Sequence, residues 1–266
     1  MPSIPTEERP PGVFLIDKPC GPTSFKIVHY IRKALGIKKV GHSGTLDPFA
    51  SGLLIVCAGR PATRIISQLM GGDKEYLALL RLGVSTDTQD FTGQVISQRP
   101  VPEFERSMLD QCLSRFVGRQ HQTPPAYSAL KHKGRPLYYY ARKGIKVDKP
   151  PRLVTIDELE ILESVPSRLR LDAGSDAGAE MCIRVRCGKG VYIRTLAADI
   201  GEALGCGAHL LALRRTVNGP FSVNEALDGK RLVDTDEALT ILQGGIKSVE
   251  EVLARFDHES ETSLSS

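Results

Sequence analysis

No apolar run in this 266-residue chain is longer than the six residues from Leu53 to Ala58. A helix that crosses a bilayer takes about 20 consecutive apolar residues, so the sequence offers none, and its core has to be assembled from many short segments. The composition, 41% hydrophobic and 25% charged, is that of an ordinary globular protein. The length suits one large domain, or one domain with a small appendage. The opening residues MPSIPTEERPP carry Pro and Glu where a secretory signal has a basic start and an apolar run. Residues 1–11 therefore read as a loose leader, and a cytoplasmic protein is expected. The six cysteines contain no CxxC pair, and the lone CxxH at Cys206 and His209 lacks a second pair to close a zinc site. Reduced, structural cysteines and no metal are expected, with Cys57 in the core.

The short segments change period along the chain. GVFLIDK (residues 12–18) reads as a strand followed by a Gly-Pro turn. Thr23 or Ser24 then caps a helix in which Ile27, Val28, Ile31, Ala34 and Leu35 share one face and Lys26, His29 and Lys33 the other. Strand patterns follow at 53–56, 74–82, 153–162 and 209–217. Helical patterns appear at 62–70, 104–116 and 191–204. Asp87, Asp90, Thr92 and Gly93 make a turn before QVIS. In MCIRVRC, Ile183 and Val185 alternate with Arg184 and Arg186, as in a strand buried on one face. DAGSDAGAE (172–180) reads as a flexible loop. From Asp228 onward nine acids face four bases, with two short helical patterns and a Ser/Glu/Thr-rich end expected to be disordered. No strand leads into GxGxxG or a Walker loop, so a nucleotide-cofactor enzyme is not expected, and the irregular mix of elements indicates an α+β fold.

Charge is distributed unevenly. Between Lys131 and Arg152 eight basic residues (Lys131, Lys133, Arg135, Arg142, Lys143, Lys146, Lys149 and Arg152) face one acid, Asp148, so the rest of this +4 chain is slightly acidic. Such a cluster suits a polyanion, whose counterions are released as phosphates are neutralised. Tyr138, Tyr139 and Tyr140 lie inside the cluster and Tyr127 just before it. Aromatic rings among cations provide stacking surfaces for looped or single-stranded RNA.

A second signal is GHSGTLDPFASG (41–52), where Gly41, Gly44 and Gly52 allow close approach to the backbone and Pro48 restricts Asp47 to extended geometry. A carboxylate held in place in this way is preorganised as a catalytic group has to be.

This run resembles the signature of the TruB-type transfer-RNA pseudouridine synthases. KEYLALLRLGVSTDTQDFTG (74–93), TPPAYSALKHKGRPLYYYARKG (123–144) and CGKGVYIRTLAADIGEALG (187–205) agree with the family in order and spacing, so the resemblance runs from about Gly12 to Phe221. It implies the pseudouridine-synthase fold, a bent and largely antiparallel mixed sheet with flanking helices and a catalytic cleft. By the same resemblance Asp47 is the catalytic aspartate, Arg194 its arginine partner, and Tyr76 the ring that stacks on the target uracil and helps move a proton. Tyr192 and Leu213 match pocket-wall positions, and His42 matches the residue that helps open the RNA loop. The basic segment, within residues 124–152, corresponds to a mobile thumb-like insertion, with Lys131, Arg135, Arg142, Lys143 and Arg152 as its phosphate contacts.

The implied reaction breaks the N1 glycosidic bond of the T-loop uridine, rotates the base and rejoins it through C5. It transfers no external group and changes no oxidation state, so no cofactor is expected. A carboxylate is able to attack the sugar or the base, or to stabilise a cationic sugar. A guanidinium beside it lowers an Asp pKa by about one to three units and keeps it ionised. The uridine must first leave its stack, at roughly a few kcal/mol. The expected organisation is a leader (1–11), a catalytic domain (12–222) and a short acidic C-terminal region (223–266) without a complete PUA module. The expected partner is the T-arm of tRNA, met by a monomer. Two other functions fit part of this pattern: an RNA chaperone without catalysis, for which Asp47 and Arg194 would be superfluous, and a guide-RNA-dependent synthase subunit.

Overall fold

The computed structural model describes residues 11–169 and 179–263, with side chains to 258. The expected leader, apart from Pro11, and most of the 172–180 loop lie outside the described residues. The strands are β1 (Gly12–Lys18), β2 (Val40–Ser43), β3 (Ser51–Ala58), β4 (Lys74–Leu82), β5 (Val84–Thr86), β6 (Val95–Gln98), β7 (Gly118–Gln122), β8 (Lys131–His132), β9 (Arg135–Pro136), β10 (Arg152–Ile161), β11 (Glu180–Cys187), β12 (Ala208–Asn218), β13 (Phe221–Ser222) and β14 (Leu227–Asp228). The helices are α1 (Ser24–Leu35), α2 (Arg60–Arg64), α3 (Ile66–Leu69), α4 (Arg106–Ser114), α5 (Leu137–Ala141), α6 (Ile193–Ala203), α7 (Thr235–Gly244) and α8 (Val249–Ser263). The chain divides into two compact units, one holding the residues up to Glu75 and from Arg214 onward, the other Tyr76–Leu213.

In the first unit β1 pairs antiparallel with β3 along its whole length and parallel with β14. β3 also pairs antiparallel with β2, and parallel with the end of β12 at Arg214 and Arg215. Every residue of β3 is buried, which is why its sequence reads as a continuous apolar run rather than an alternation. Alternate residues of β1 and β3, Val13, Leu15, Leu53, Ile55 and Cys57, join a core that includes Phe221, Val252 and Phe256. α8 thus contributes Val252 and Phe256 to this core, and the polar end expected to be disordered is helical through Ser263. α1 covers β2 and β3 and touches α7. Its five expected apolar residues are all buried, its start is capped by Thr23 accepting from the Lys26 amide, and it ends at Gly36 in the left-handed conformation. Such a cap contributes about 1 kcal/mol. The single helix expected at 62–70 is instead two short ones, α2 and α3, separated at Ile65 where ψ is 1°.

In the second unit the strand order is β4-β11-β10-β7. β10 and β11 bury Ile183 and Val185 on one face, and on the other pair Arg184 with Glu160 and Arg186 with Glu158 at 2.9 and 3.1 Å. These ion pairs are exposed, so each contributes roughly 0–1 kcal/mol. The 87–93 turn closes the β5–β6 hairpin, as its composition implies.

Candidate active site

Asp47 lies in the loop between β2 and β3 and is half-buried, with Leu46, Phe49 and Ala50 buried around it. The loop is held through its main chain on both sides of the acid. Before Asp47, the Ser24 hydroxyl at the start of α1 accepts from the Leu46 amide at 2.9 Å and donates to the Leu46 carbonyl at 3.0 Å. After it, the Pro48 carbonyl accepts from the Gly21 amide at 2.8 Å and from Lys18 Nζ at 3.4 Å. Lys18 Nζ also donates to the Pro19 and Pro22 carbonyls at 2.8 and 2.9 Å. At the two ends of the loop, one guanidinium, Arg215, donates through Nη2 to the Gly44 carbonyl at 3.2 Å and through Nε to the Leu53 carbonyl at 2.7 Å. Lys18 and Arg215 are 0% and 1% exposed. Both buried cations are satisfied by main-chain carbonyls, among them those of Gly44, Pro48 and Leu53 around the acid. Burial pulls the Lys18 amine down to about 8; Cys20 and Asp47 act against that shift, and Arg215 adds to it.

Gly52 explains why the loop must close on glycine. Its φ is +103°, and a Cβ there would lie 2.2 Å from the Arg215 carbonyl oxygen, so both conformation and space exclude a side chain. His42, half-buried on β2, has its pKa lowered by burial and then by Arg215, with the Gly44 backbone opposing. It is therefore a neutral imidazole near pH 7.

In the second unit, Tyr76 is half-buried on β4, and Leu213 is buried on β12. Tyr192 is the residue before α6, so Arg194 belongs to the first turn of the helix expected at 191–204. The Gln122 side chain grips Tyr192 from both sides, its Oε1 accepting from the Tyr192 amide at 2.8 Å and its Nε2 donating to the Tyr192 carbonyl at 3.1 Å. Arg194 is 5% exposed and donates to the carbonyls of Thr88 at 3.0 Å and Tyr127 at 2.7 Å. Asp90 Oδ2 lies 3.6 Å away, equally buried. The Asp90 carboxylate is itself fixed by the Thr88 hydroxyl at 2.8 Å and the Thr92 amide at 3.0 Å. Removing one member of a buried pair of this kind costs about 3–5 kcal/mol, because the other charge is stranded.

The basic segment is built differently. β8 and β9 form a two-residue hairpin whose turn, Lys133 and Gly134, has positive φ at both positions, the geometry preferred by tight hairpins. Leu137 anchors α5 in the unit, while Lys131, Arg135, Arg142, Lys143 and Arg152 are exposed. Arg135 and Lys143 lie 4.4 and 4.7 Å from the centre of the Tyr139 ring, and Arg142 lies 5.5 Å from Tyr138. Lys143, ahead of Arg135, pulls the Tyr139 phenol below its ordinary pKa. Lys131 sits on β8 and Arg152 opens β10 opposite Gln122, away from this ring cluster along the chain.

Ser24, Lys18, Arg215, Asp90 and Gln122 are not among the site residues expected from the sequence. One signal is available for Arg215: the Arg214–Arg215 doublet directly follows the apolar run Leu210–Leu213 within one strand.

Among the described residues no group of three or more His, Cys, Asp or Glu is placed to hold a metal ion, and no helix is long and apolar enough to cross a membrane. The family model described as TruB family pseudouridylate synthase (N terminal domain) matches residues 32–193, and that of the tRNA pseudouridylate synthase B C-terminal domain matches 194–254. The chain belongs to the TruB family of pseudouridylate synthases. It is 57% identical over 218 residues to the tRNA pseudouridine synthase B of Desulfotalea psychrophila, covering 81% of this chain and 85% of that protein. The synthase B of Bordetella parapertussis is 49% identical over 218 residues, with 81% and 84% covered. Among solved structures, the crystal structure of a Cbf5-Nop10-Gar1 complex matches with a TM-score of 0.63 at 30% identity, over 96% of this chain and 61% of that one. An archaeal box H/ACA sRNP Nop10-Cbf5 complex matches with 0.62 at 28% identity, over 96% and 66%. The TruB membership and these neighbours agree on a pseudouridine-synthase fold of α+β class, with a mixed sheet and flanking helices.

Proposed function

We propose that this TruB-family chain isomerises the T-loop uridine of tRNA, uridine-55, to pseudouridine, with Asp47 as the catalytic carboxylate. The observation that carries the reading is the setting of Asp47: a single acid in a loop whose flanking carbonyls and amides are tied to buried donors and acceptors. Ionised and fixed, Asp47 attacks the nucleoside or stabilises its cationic sugar while the N1 bond breaks. The base rotates and C1′ is rejoined to C5 as any bond to Asp47 breaks. C5 then gives up its proton, which Tyr76 helps to move, and N1 ends protonated, so atoms and electrons balance within the substrate and no cofactor takes part. Arg194 pairs with Asp47 during this step and holds it ionised. Tyr76 stacks on the uracil, with Tyr192 and Leu213 as pocket walls. Neutral His42 fills the space left by the flipped base. Lys131, Arg135, Arg142, Lys143 and Arg152 hold the phosphates of the T-arm, and this positions the loop without reading its sequence. In this reading residues 12–222 carry catalysis, and the protein acts as a cytoplasmic monomer.

The test is incubation of the purified protein alone with unmodified tRNA, followed by pseudouridine mapping. One modified T-loop position is expected. Modification elsewhere would overturn the substrate, and activity appearing only with added guide RNA and partner proteins would place the chain with guide-dependent synthases.

A further inference from the structure

We infer that Ser24 and Arg215 are positioning residues for Asp47, acting on the two peptide segments that carry it. The inference rests on the reading of Asp47 as the catalytic acid. Ser24 is 2% exposed and spends its hydroxyl on a single residue, Leu46, accepting from its amide and donating to its carbonyl. Leu46 immediately precedes Asp47, so both backbone polar groups of that residue are locked to the first turn of α1. Arg215 acts on the loop as a whole. Its guanidinium spans from the Gly44 carbonyl to the Leu53 carbonyl, the two ends of the segment with Asp47 near its middle. Both ends also approach Arg215 closely: Gly52 pairs with it in register, and a Cβ on Gly44 would sit 3.4 Å from Nη1.

Neither side chain is called for by the fold alone. A buried apolar residue at position 215 would suit a strand face that already carries Leu213 and Val217, and a capping hydroxyl for α1 is already supplied by Thr23. What both share is the Asp47 loop. A reacting carboxylate displaced by about 1 Å loses on the order of 100-fold in rate, so a loop fixed at Leu46 and at both ends has a direct kinetic consequence. The Ser24 hydroxyl limits rotation of the Leu46–Asp47 peptide, while Arg215 fixes the span across which the loop arches.

The experiment measures single-turnover pseudouridine formation, tRNA affinity and amide hydrogen exchange for Ser24→Ala, Arg215→Lys and Asp47→Asn in the full chain. Ser24→Ala is expected to speed exchange at Leu46, to leave the affinity for tRNA within about twofold, and to slow the saturated rate at least ~10-fold. Arg215→Lys keeps the buried charge but lacks the fork that spans both ends, and the same split between rate and affinity is expected. It carries the test independently should the alanine variant fail to fold. A folded Ser24→Ala or Arg215→Lys enzyme with wild-type saturated rate, beside an inactive Asp47→Asn, would overturn the positioning role and leave the reading of Asp47 standing. Wild-type turnover by Asp47→Asn would remove the reading itself. A loss confined to tRNA affinity would also overturn the positioning role.

Discussion

The Asp47 loop and the basic segment from Lys131 to Arg152 are both short, glycine-containing excursions between strands, yet they are held by opposite means. The loop carries one acid and is fixed through its backbone, with Ser24, Lys18 and Arg215 all buried and all bonded to main-chain atoms. The basic segment carries many charges and is fixed at few points: a two-residue hairpin, a one-turn helix and Leu137 as its buried anchor. Three of its cations, Arg135, Arg142 and Lys143, rest on tyrosine rings. Cation–ring contacts at exposed sites amount to about 0.5–1 kcal/mol, weak enough to be exchanged for phosphate and base contacts. Bond making requires a group that does not move. Grip on a polyanion tolerates side chains that do.

Glycine substitutions test this contrast most sharply. Gly52 and Gly134 both have positive φ, but an added Cβ meets the Arg215 backbone at Gly52 and nothing within 4 Å at Gly134. Gly52→Ala is expected to lower stability by several kcal/mol, since strain and overlap add, and to abolish turnover. Gly134→Ala is expected to stay within about 1–2 kcal/mol, the cost of a non-glycine residue in that conformation, with little change in rate. Thermal unfolding and single-turnover assays on the pair measure it, and equal effects would erase the distinction between the two regions. A smaller effect is expected from charge. Replacing Arg135, Arg142 and Lys143 together by Gln should weaken tRNA binding by roughly 10-fold or more at moderate salt, and reduce the dependence of log Kd on log salt by about two to three units. The saturated rate should hold. A fall in that rate with unchanged affinity would move these residues from grip to chemistry.

How much of this is legible in the sequence follows the range of the interactions. Helix α1 and its cap are set by residues within four positions of each other, and both can be read from spacing. The alternation in β11 likewise announces its buried face. Asp47 stands out because its constraints, Pro48 and the nearby glycines, are sequence neighbours. Ser24 and Arg215 do not, because their partners lie 22, 162 and 171 positions away. Arg194 shows the same limit: the resemblance names it, while its contacts with Thr88 and Tyr127, 106 and 67 positions off, come only from the fold. The polar composition of the C-terminal end points to disorder. The two helical patterns after Asp228 are legible and form α7 and α8, but that Val252 and Phe256 of α8 complete the core around β1 and β3 is a long-range packing effect that spacing does not reveal.

The central claim is that one fixed carboxylate performs the isomerisation. Asp47→Asn changes its charge and leaves its volume and the backbone bonds of its loop in place, so the direct measurement is pseudouridine formed in tRNA by this variant beside its affinity for the same tRNA. Product is expected to fall below detection while the dissociation constant stays within about threefold of wild type, because a single half-buried carboxylate contributes little to phosphate binding. An Asp47→Asn enzyme that still makes pseudouridine at a rate near that of the wild type would contradict the account.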